Sequence, residues 1–264
     1  MFDFNLIFIP LFGFLVGFLV STLGGGGGGL YVPGLILLFG VPTQVAAATS
    51  LASVLPTTVA GAISHHREGN VDIPTGLILG IGGIVGTLMG AYIANLIPSY
   101  LLEKILGIFT LIMLIPMLKS IIQRRRKQKT ENNTVNEGNL RLTGPKRIIA
   151  SFFGVASGLL AGVFGISGTP PVSAGLYSLG LPAVMVVGTT VFVLIFNSIT
   201  GIGGYFLLGR LDMTLIILLA SGAVVGAFLG PMLLKKINPK TFEKIYGPLI
   251  VTISIVLSLA LILG

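Results

Sequence analysis

The 264-residue chain is 53% hydrophobic and 9% charged, with a mean hydropathy of +1.01. No Asp, Glu, Lys or Arg occurs between Asp3 and Arg67 or between Arg147 and Arg210, which excludes a soluble globular protein and points to a polytopic membrane protein. The lack of cysteine excludes disulfides, thiolate metal sites and cysteine nucleophiles. The net charge of +8 does not mark a nucleic-acid binder, because nine of the sixteen basic residues fall in 119–147.

The N-terminus has no basic n-region and no A-x-A cleavage signal, so the first apolar segment is expected to be retained. Apolar stretches cover about 4–23, 30–42, 44–64, 73–95 and 102–122, then 148–163, 171–182, 183–206, 213–234 and 242–263. A membrane crossing needs ~20 residues, so 30–42 and 171–182 read as half-helices or re-entrant pieces. Between the two sets, Lys119, Arg124, Arg125, Arg126, Lys127, Lys129, Arg141, Lys146 and Arg147 flank the polar stretch 130–138. This pattern predicts a solvated loop on the cytoplasmic side.

The two sets form a repeat. At a shift of 141, Gly13, Gly17, Gly24, Gly27, Gly34 and Leu35 meet Gly154, Gly158, Gly165, Gly168, Gly175 and Leu176. At a shift of 140, Gly40, Pro42, Thr49, Gly61, Gly69 and Asp72 meet Gly180, Pro182, Thr189, Gly201, Gly209 and Asp212. Gly82, Gly86 and Gly90 meet Gly222, Gly226 and Gly230, and Glu103-Lys104-Ile105 meets Glu243-Lys244-Ile245. The expected organisation is a first repeat over 1–118, a basic loop over 119–147 and a second repeat over 148–264. With Lys235, Lys236 and Lys240 also inside, each half holds a re-entrant hairpin plus three crossings, an odd number. The fold expected is therefore all-α and polytopic, with inverted repeats as in many secondary transporters and the N-terminus outside.

Gly24–Gly29, six glycines between apolar segments, cannot hold a regular helix, since each loses about 1 kcal/mol relative to alanine. The run reads as a linker, as tight packing or as a functional break; its apolar flanks favour the break. Its repeat mate is Gly165-Ile166-Ser167-Gly168-Thr169-Pro170-Pro171. No predicted span carries an interior Asp, Glu, Lys or Arg, so a cation site on a buried carboxylate is not expected. Helix N-termini can hold an anion without arginine, through free N–H groups and the helix dipole. Gly25, Gly26, Gly27, Gly28, Ser167, Gly168, Thr169 and Tyr31 are the candidate contacts. Thr49-Ser50 and Thr189-Thr190 recur in both halves, as ligands or as hydroxyls bonded to their own helix. Asn197 is either an interhelical hydrogen bond or a ligand. His65 and His66, the only histidines, precede Arg67 at a helix end; they are interfacial residues, or a gate or proton-handling group. Asp72 and Asp212 read as N-caps. No metal or cofactor site is expected.

The run Gly24–Gly29 with Val32-Pro33, then Ala48-Thr49-Ser50-Leu51, resembles the sulfite exporter TauE/SafE family, also grouped as toluenesulfonate uptake permeases. Gly154, Gly158, Gly162, Gly165, Gly168 and Gly188-Thr189-Thr190 fit that family's second repeat, and the resemblance covers the chain outside 120–147. The second break departs from a polyglycine pattern, reading Ser-Gly-Thr-Pro-Pro. The resemblance implies a secondary transporter of sulfur anions, sulfite or sulfonates among them, in the cell membrane. A passive anion channel is the alternative. An intramembrane serine protease is suggested only by Gly165-Ile166-Ser167-Gly168, and both histidines precede that serine. The bilayer and a small anion are the expected partners; the Gly82-Gly86-Gly90 and Gly222-Gly226-Gly230 faces can pack within the chain or between subunits, with a homodimer as the second option.

Overall fold

The computed structural model describes residues 7–21, 28–127, 144–234 and 239–264. They form ten α-helices, with no strand among them: α1 (Phe8–Ser21), α2 (Gly28–Phe39), α3 (Thr43–Arg67), α4 (Ile73–Leu96), α5 (Ser99–Lys127), α6 (Gly144–Phe164), α7 (Thr169–Ser178), α8 (Ala183–Leu207), α9 (Met213–Leu234) and α10 (Pro239–Leu263). The all-α, polytopic class expected from composition is the one found. Four stretches, Thr43–Arg67, Ile73–Leu96, Ala183–Leu207 and Met213–Gly230, are long and apolar enough to cross a membrane. Outward-facing Ile81, Val85, Phe152, Phe206 and Phe228 suit contact with lipid. The basic segment differs at its edges from the loop expected over 119–147: α5 runs on to Lys127 and α6 begins at Gly144. Residues 128–143 lie outside those described, as do residues 1–6.

The helix ends follow from local chemistry, and they recur. Asp72 caps α4 by accepting from the Thr75 N–H at 3.2 Å, and Asp212 accepts from the N–H groups of Thr214 and Leu215. After α3, Gly69 adopts φ 73°, while the Gly69 and Asn70 N–H groups bond the carbonyls of His66 and His65. After α8, Gly209 at φ 65° and Arg210 make the same bonds to Phe206 and Tyr205. Both are left-handed glycine caps that satisfy otherwise orphaned carbonyls. Thus α3 and α8 coincide under the 140-residue shift, Thr43–Arg67 onto Ala183–Leu207.

The halves are interleaved rather than side by side. The most extensive packing joins α4 to α6 and α1 to α9, so the first helix of each half lies on the fourth helix of the other. Glycines permit it. A Cβ on Gly82 would overlap the Ser151 carbonyl, and one on Gly86 the Val155 carbonyl. Their mates repeat this, Gly222 against Pro10 and Gly226 against Phe14. In lipid, helices gain little from hydrophobicity against each other, so backbone approach of this kind supplies the association through dispersion. These glycines therefore face a partner helix within the chain, not the surface expected of a homodimer contact.

Contact order along each pair gives direction. Gly82, Gly86 and Gly90 meet Ser151, Val155 and Leu159 in turn, so α4 and α6 run parallel. On α3 and α8, Leu51 lies against Gly201 and Gly61 against Val191, so these two repeat mates run antiparallel. On α5 and α10, Gly107 meets Ile262 and Leu261 while Thr110 accepts from Ser258, again antiparallel. Short helices fold back on long ones. Gly175 of α7 packs on Phe153 of α6, and its mate Gly34 of α2 packs on Phe12 of α1. The segments around 30–42 and 171–182 are thus the returning arms of hairpins.

Gly86→Val is expected to weaken the α4–α6 contact by about 2 kcal/mol or more and lower the melting temperature in detergent. Gly203→Ala, on α8 with open space around its Cα, is expected to leave stability unchanged or raise it by up to about 1 kcal/mol; thermal unfolding of both variants measures the difference.

Candidate functional site

The break between α6 and α7 is the best-defined irregular backbone in the protein's interior. The Gly165 N–H still closes the last turn of α6 on Ala161 at 2.8 Å. Gly165 and Gly168 then take φ 66° and 68°, a region that costs an L-residue roughly 1–2 kcal/mol. Neither position has room for a side chain: a Cβ on Gly165 would overlap Ala47 of α3, and one on Gly168 would overlap Ser157 of α6. Thr169 and Pro170 open α7, where the fixed proline φ suits a first turn. The chain leaves one helix and starts the next within four residues, Gly165 to Gly168.

Both glycine carbonyls are turned into the protein. Ser50 Oγ of α3 donates to the Gly165 carbonyl at 2.9 Å, and Ser157 Oγ of α6 donates to the Gly168 carbonyl at 2.8 Å. A trans peptide points its N–H opposite to its C=O. The N–H groups of Ile166 and Thr169 therefore point away from those serines. Among the described residues, no hydrogen bond uses the backbone N–H of Ile166, Ser167, Gly168 or Thr169. Ser167 and Gly168 are buried. The Ser167 and Thr169 hydroxyls lie 3.3 Å apart beside these donors. Pro170 and Pro171 carry no N–H, so the donors of this helix start are concentrated before the prolines. The positive end of the α7 dipole adds to them. The arrangement can accept an anion; with no charged side chain among the groups named, it suits a small one.

The other candidates are spread over several parts of the fold. Ser50 and Thr190 belong to this region: Ser50 by its bond to Gly165, Thr190 by its 3.4 Å approach to Ser173 on α7. Neither is bonded to its own helix. Thr189 accepts from the Asp72 N–H at 2.9 Å and so ties α8 to the α3–α4 turn, while the buried Thr49 hydroxyl has no partner among the described residues. Tyr31 sits in the apolar core, edge-on to Phe12 at 6.3 Å, in the cluster that also takes in Phe164 and Ile166. At the C-terminal end of α3, His65 is half-buried with its Cβ against Gly188, and His66 and Arg67 are exposed. Gly28 opens α2; Gly25, Gly26 and Gly27 lie outside the described residues.

Asn197 is fully buried, and its Nδ2 donates to Ser157 Oγ at 2.9 Å. Its Oδ1 lies against Gly83 of α4. Ser157 and Gly83 were not among the expected site residues. The available signal was a hydroxyl beside the α6 stripe of Gly154, Gly158 and Gly162. Ser53, Thr87 and Ser198 are further buried hydroxyls without a partner, and nothing in their spacing singled them out.

Apolar crossings, returning half-helices and a buried backbone break define a polytopic membrane transporter fold. The sulfite exporter TauE/SafE family model matches residues 9–257, and the chain belongs to that family. It is 35% identical over 219 residues to "Probable membrane transporter protein YdhB" of Bacillus subtilis (strain 168), covering 82% of this chain and 85% of that one. It is 28% identical over 253 residues to "Probable membrane transporter protein YunE" of the same organism, covering 91% and 93%. A protein of Methanocaldococcus jannaschii, "Probable membrane transporter protein MJ0441", is 28% identical over 253 residues, with 89% and 90% covered. No solved structure matches. Membership in a transporter family sets aside the protease reading, and Ser167 pairs with Thr169 rather than with a histidine.

Ser50→Ala is expected to lower stability by about 1 kcal/mol through loss of the bond to Gly165. Gly165→Ala is expected to cost about 3 kcal/mol, from the positive φ and the overlap with Ala47 together. Thermal unfolding of each variant in the same detergent checks the order.

Proposed function

We propose that the protein is a secondary transporter that moves a small anion, sulfite or an organosulfonate, across the cell membrane by alternating access. The observation that carries this reading is the run of N–H groups from Ile166 to Thr169 at the start of α7, with Ser167 and Gly168 buried, that no hydrogen bond among the described residues uses. In hydrocarbon each unmet donor is costly, and a bound anion relieves several at once. Ser167, Gly168 and Thr169 are the proposed contacts from this half, with Ser50 and Thr190 lining the same region. Gly25, Gly26, Gly27 and Gly28 are the proposed contacts from the other half, at the start of α2. Thr49 and Thr189 stand further along as hydroxyls on the path.

The antiparallel courses of α3 with α8 and α5 with α10 support inverted repeats. In the proposed orientation the segment between α5 and α6 is cytoplasmic, the N-terminus is outside, and His65, His66 and Arg67 mark the cytoplasmic end of α3. The absence of cysteine makes this testable: single cysteines at Glu68 and Arg210 are expected to react with impermeant maleimide from opposite sides of the membrane. Labelling of both from one side would overturn the inversion.

In proteoliposomes, sulfite or methanesulfonate counterflow is expected to saturate with substrate concentration. Ser167→Ala and Thr169→Ala are each expected to raise KM several-fold, on the scale of one lost hydrogen bond of about 1 kcal/mol. Flux that does not saturate would indicate a channel instead, and unchanged KM in both variants would sink the site.

A further inference from the structure

We propose that Ser157, held by Asn197, is the positioning residue of this site: it locks Gly168 in its left-handed conformation and so aims the donors at the start of α7. The proposal rests on the anion reading above, and it moves Asn197 from the ligand set to the support behind it.

The tether is continuous and buried. Asn197 Nδ2 on α8 donates to Ser157 Oγ on α6 at 2.9 Å, and Ser157 Oγ donates to the Gly168 carbonyl at 2.8 Å. Asn197 and Ser157 are both fully buried. The amide is wedged from behind, because its Oδ1 lies against Gly83 of α4, where any side chain would overlap it. Gly83 in turn packs through its carbonyl on Gly158, the residue after Ser157. Three long helices therefore converge on one carbonyl of the break.

That carbonyl needs holding. Gly168 is the N-cap of α7 and no side chain caps the helix there. Glycine visits left- and right-handed regions about equally, so its own chemistry does not select φ 68°. Pinning the Gly168 carbonyl to α6 selects it, and it fixes the Thr169 N–H in the opposite direction, since the peptide is planar. Ser50 does the same to the Gly165–Ile166 peptide from the other side.

The repeat separates this role from ordinary packing. The glycine contacts of α4 on α6 recur in α9 on α1, residue for residue. The tether does not recur. The mate of Ser157 is Val16, and the mate of Gly83 is Ala223. The mate of Asn197 is Thr57, whose hydroxyl bonds the Val54 carbonyl of its own helix. The interleaved packing thus forms in the first half without the Ser–Asn pair, whose places are taken by Val16 and Thr57. The pair is present only where the break reads Ser-Gly-Thr-Pro-Pro, with two prolines removing N–H groups and leaving fewer donors to be aimed.

The test uses the full-length protein, with sulfite as the probe. Ser157→Ala is expected to raise the KM for sulfite counterflow about tenfold and to lower the melting temperature, since two buried hydrogen bonds are lost. It is also expected to speed amide hydrogen exchange in 165–172. Ser157→Thr, which keeps the hydroxyl, is expected to restore KM to within about twofold of the parent. Because the two groups act in series, Ser157→Ala with Asn197→Ala is expected to be no worse than the more severe single variant. Independent, additive losses would overturn the tether, as would faster exchange at an unchanged KM, which leaves the serine a purely structural part. Failure of sulfite and methanesulfonate to bind the parent protein, with exchange still faster in Ser157→Ala, would overturn the anion reading and with it the positioning role.

Discussion

Backbone hydrogen bonding in an apolar medium is the constraint on which this structure depends. A helix satisfies its own N–H and C=O groups; any interruption exposes them where no water can help. The segment 165–168 is such an interruption. Its two glycine carbonyls are met by serines on α3 and α6, while among the described residues no hydrogen bond meets the N–H groups from Ile166 to Thr169 or the carbonyls of Ile166 and Ser167. The N–H groups lie at the positive end of the α7 dipole.

The rest of the architecture holds that segment in place. Each half places its first helix on the fourth helix of the other, through glycine contacts that bring backbones together. Interleaving of this kind means that neither half can bury its hairpin alone. It brings α6 to the side of the α4–α8 contact, which is how Gly83, Ser157 and Asn197 come to one point. Close approach also leaves little slack: most glycines on these faces have neighbouring backbone where a Cβ would lie.

The two halves have diverged in their polar groups more than in their packing. At the start of α3, Gln44 donates to the Ala94 and Ile97 carbonyls and accepts from Ser99, while Thr43 reaches Glu103 at 3.0 Å. The mates of Thr43 and Gln44 are Ala183 and Val184, which cannot make these bonds. At the breaks the difference runs the other way, with Ser157 and Asn197 facing Val16 and Thr57 in the alignment. One half is thus pinned at the α4–α5 corner and the other at its hairpin. This is the arrangement expected when a duplicated scaffold serves two different faces of one substrate path.

Much of the scaffold was legible in the residues themselves. Composition and the spacing of charges determined the membrane class, because uncharged stretches of that length have no aqueous alternative. Glycine, proline and aspartate punctuation determined the helix ends to within a few residues, because caps and left-handed turns are local chemistry; α3 and α8 end where Gly69 and Gly209 place them. The duplication was legible as a shift of 140 to 141, and with it the short returning helices. The partners of individual side chains were decided only in three dimensions. Thr189 and Ser50 are equivalent in kind by sequence, yet one accepts from the α3–α4 turn and the other donates to the opposite half's break. Asn197, Ser157 and Gly83 meet across separations of up to 114 residues, from Gly83 to Asn197. No periodicity within one helix records which helix will lie beside it, because parallel packing of α4 on α6 and of α1 on α9 is settled by backbone fit over the whole bundle. Sequence alone therefore determined that there would be a break and of what residues; the tertiary structure decided which atoms of that break find a partner among the described residues.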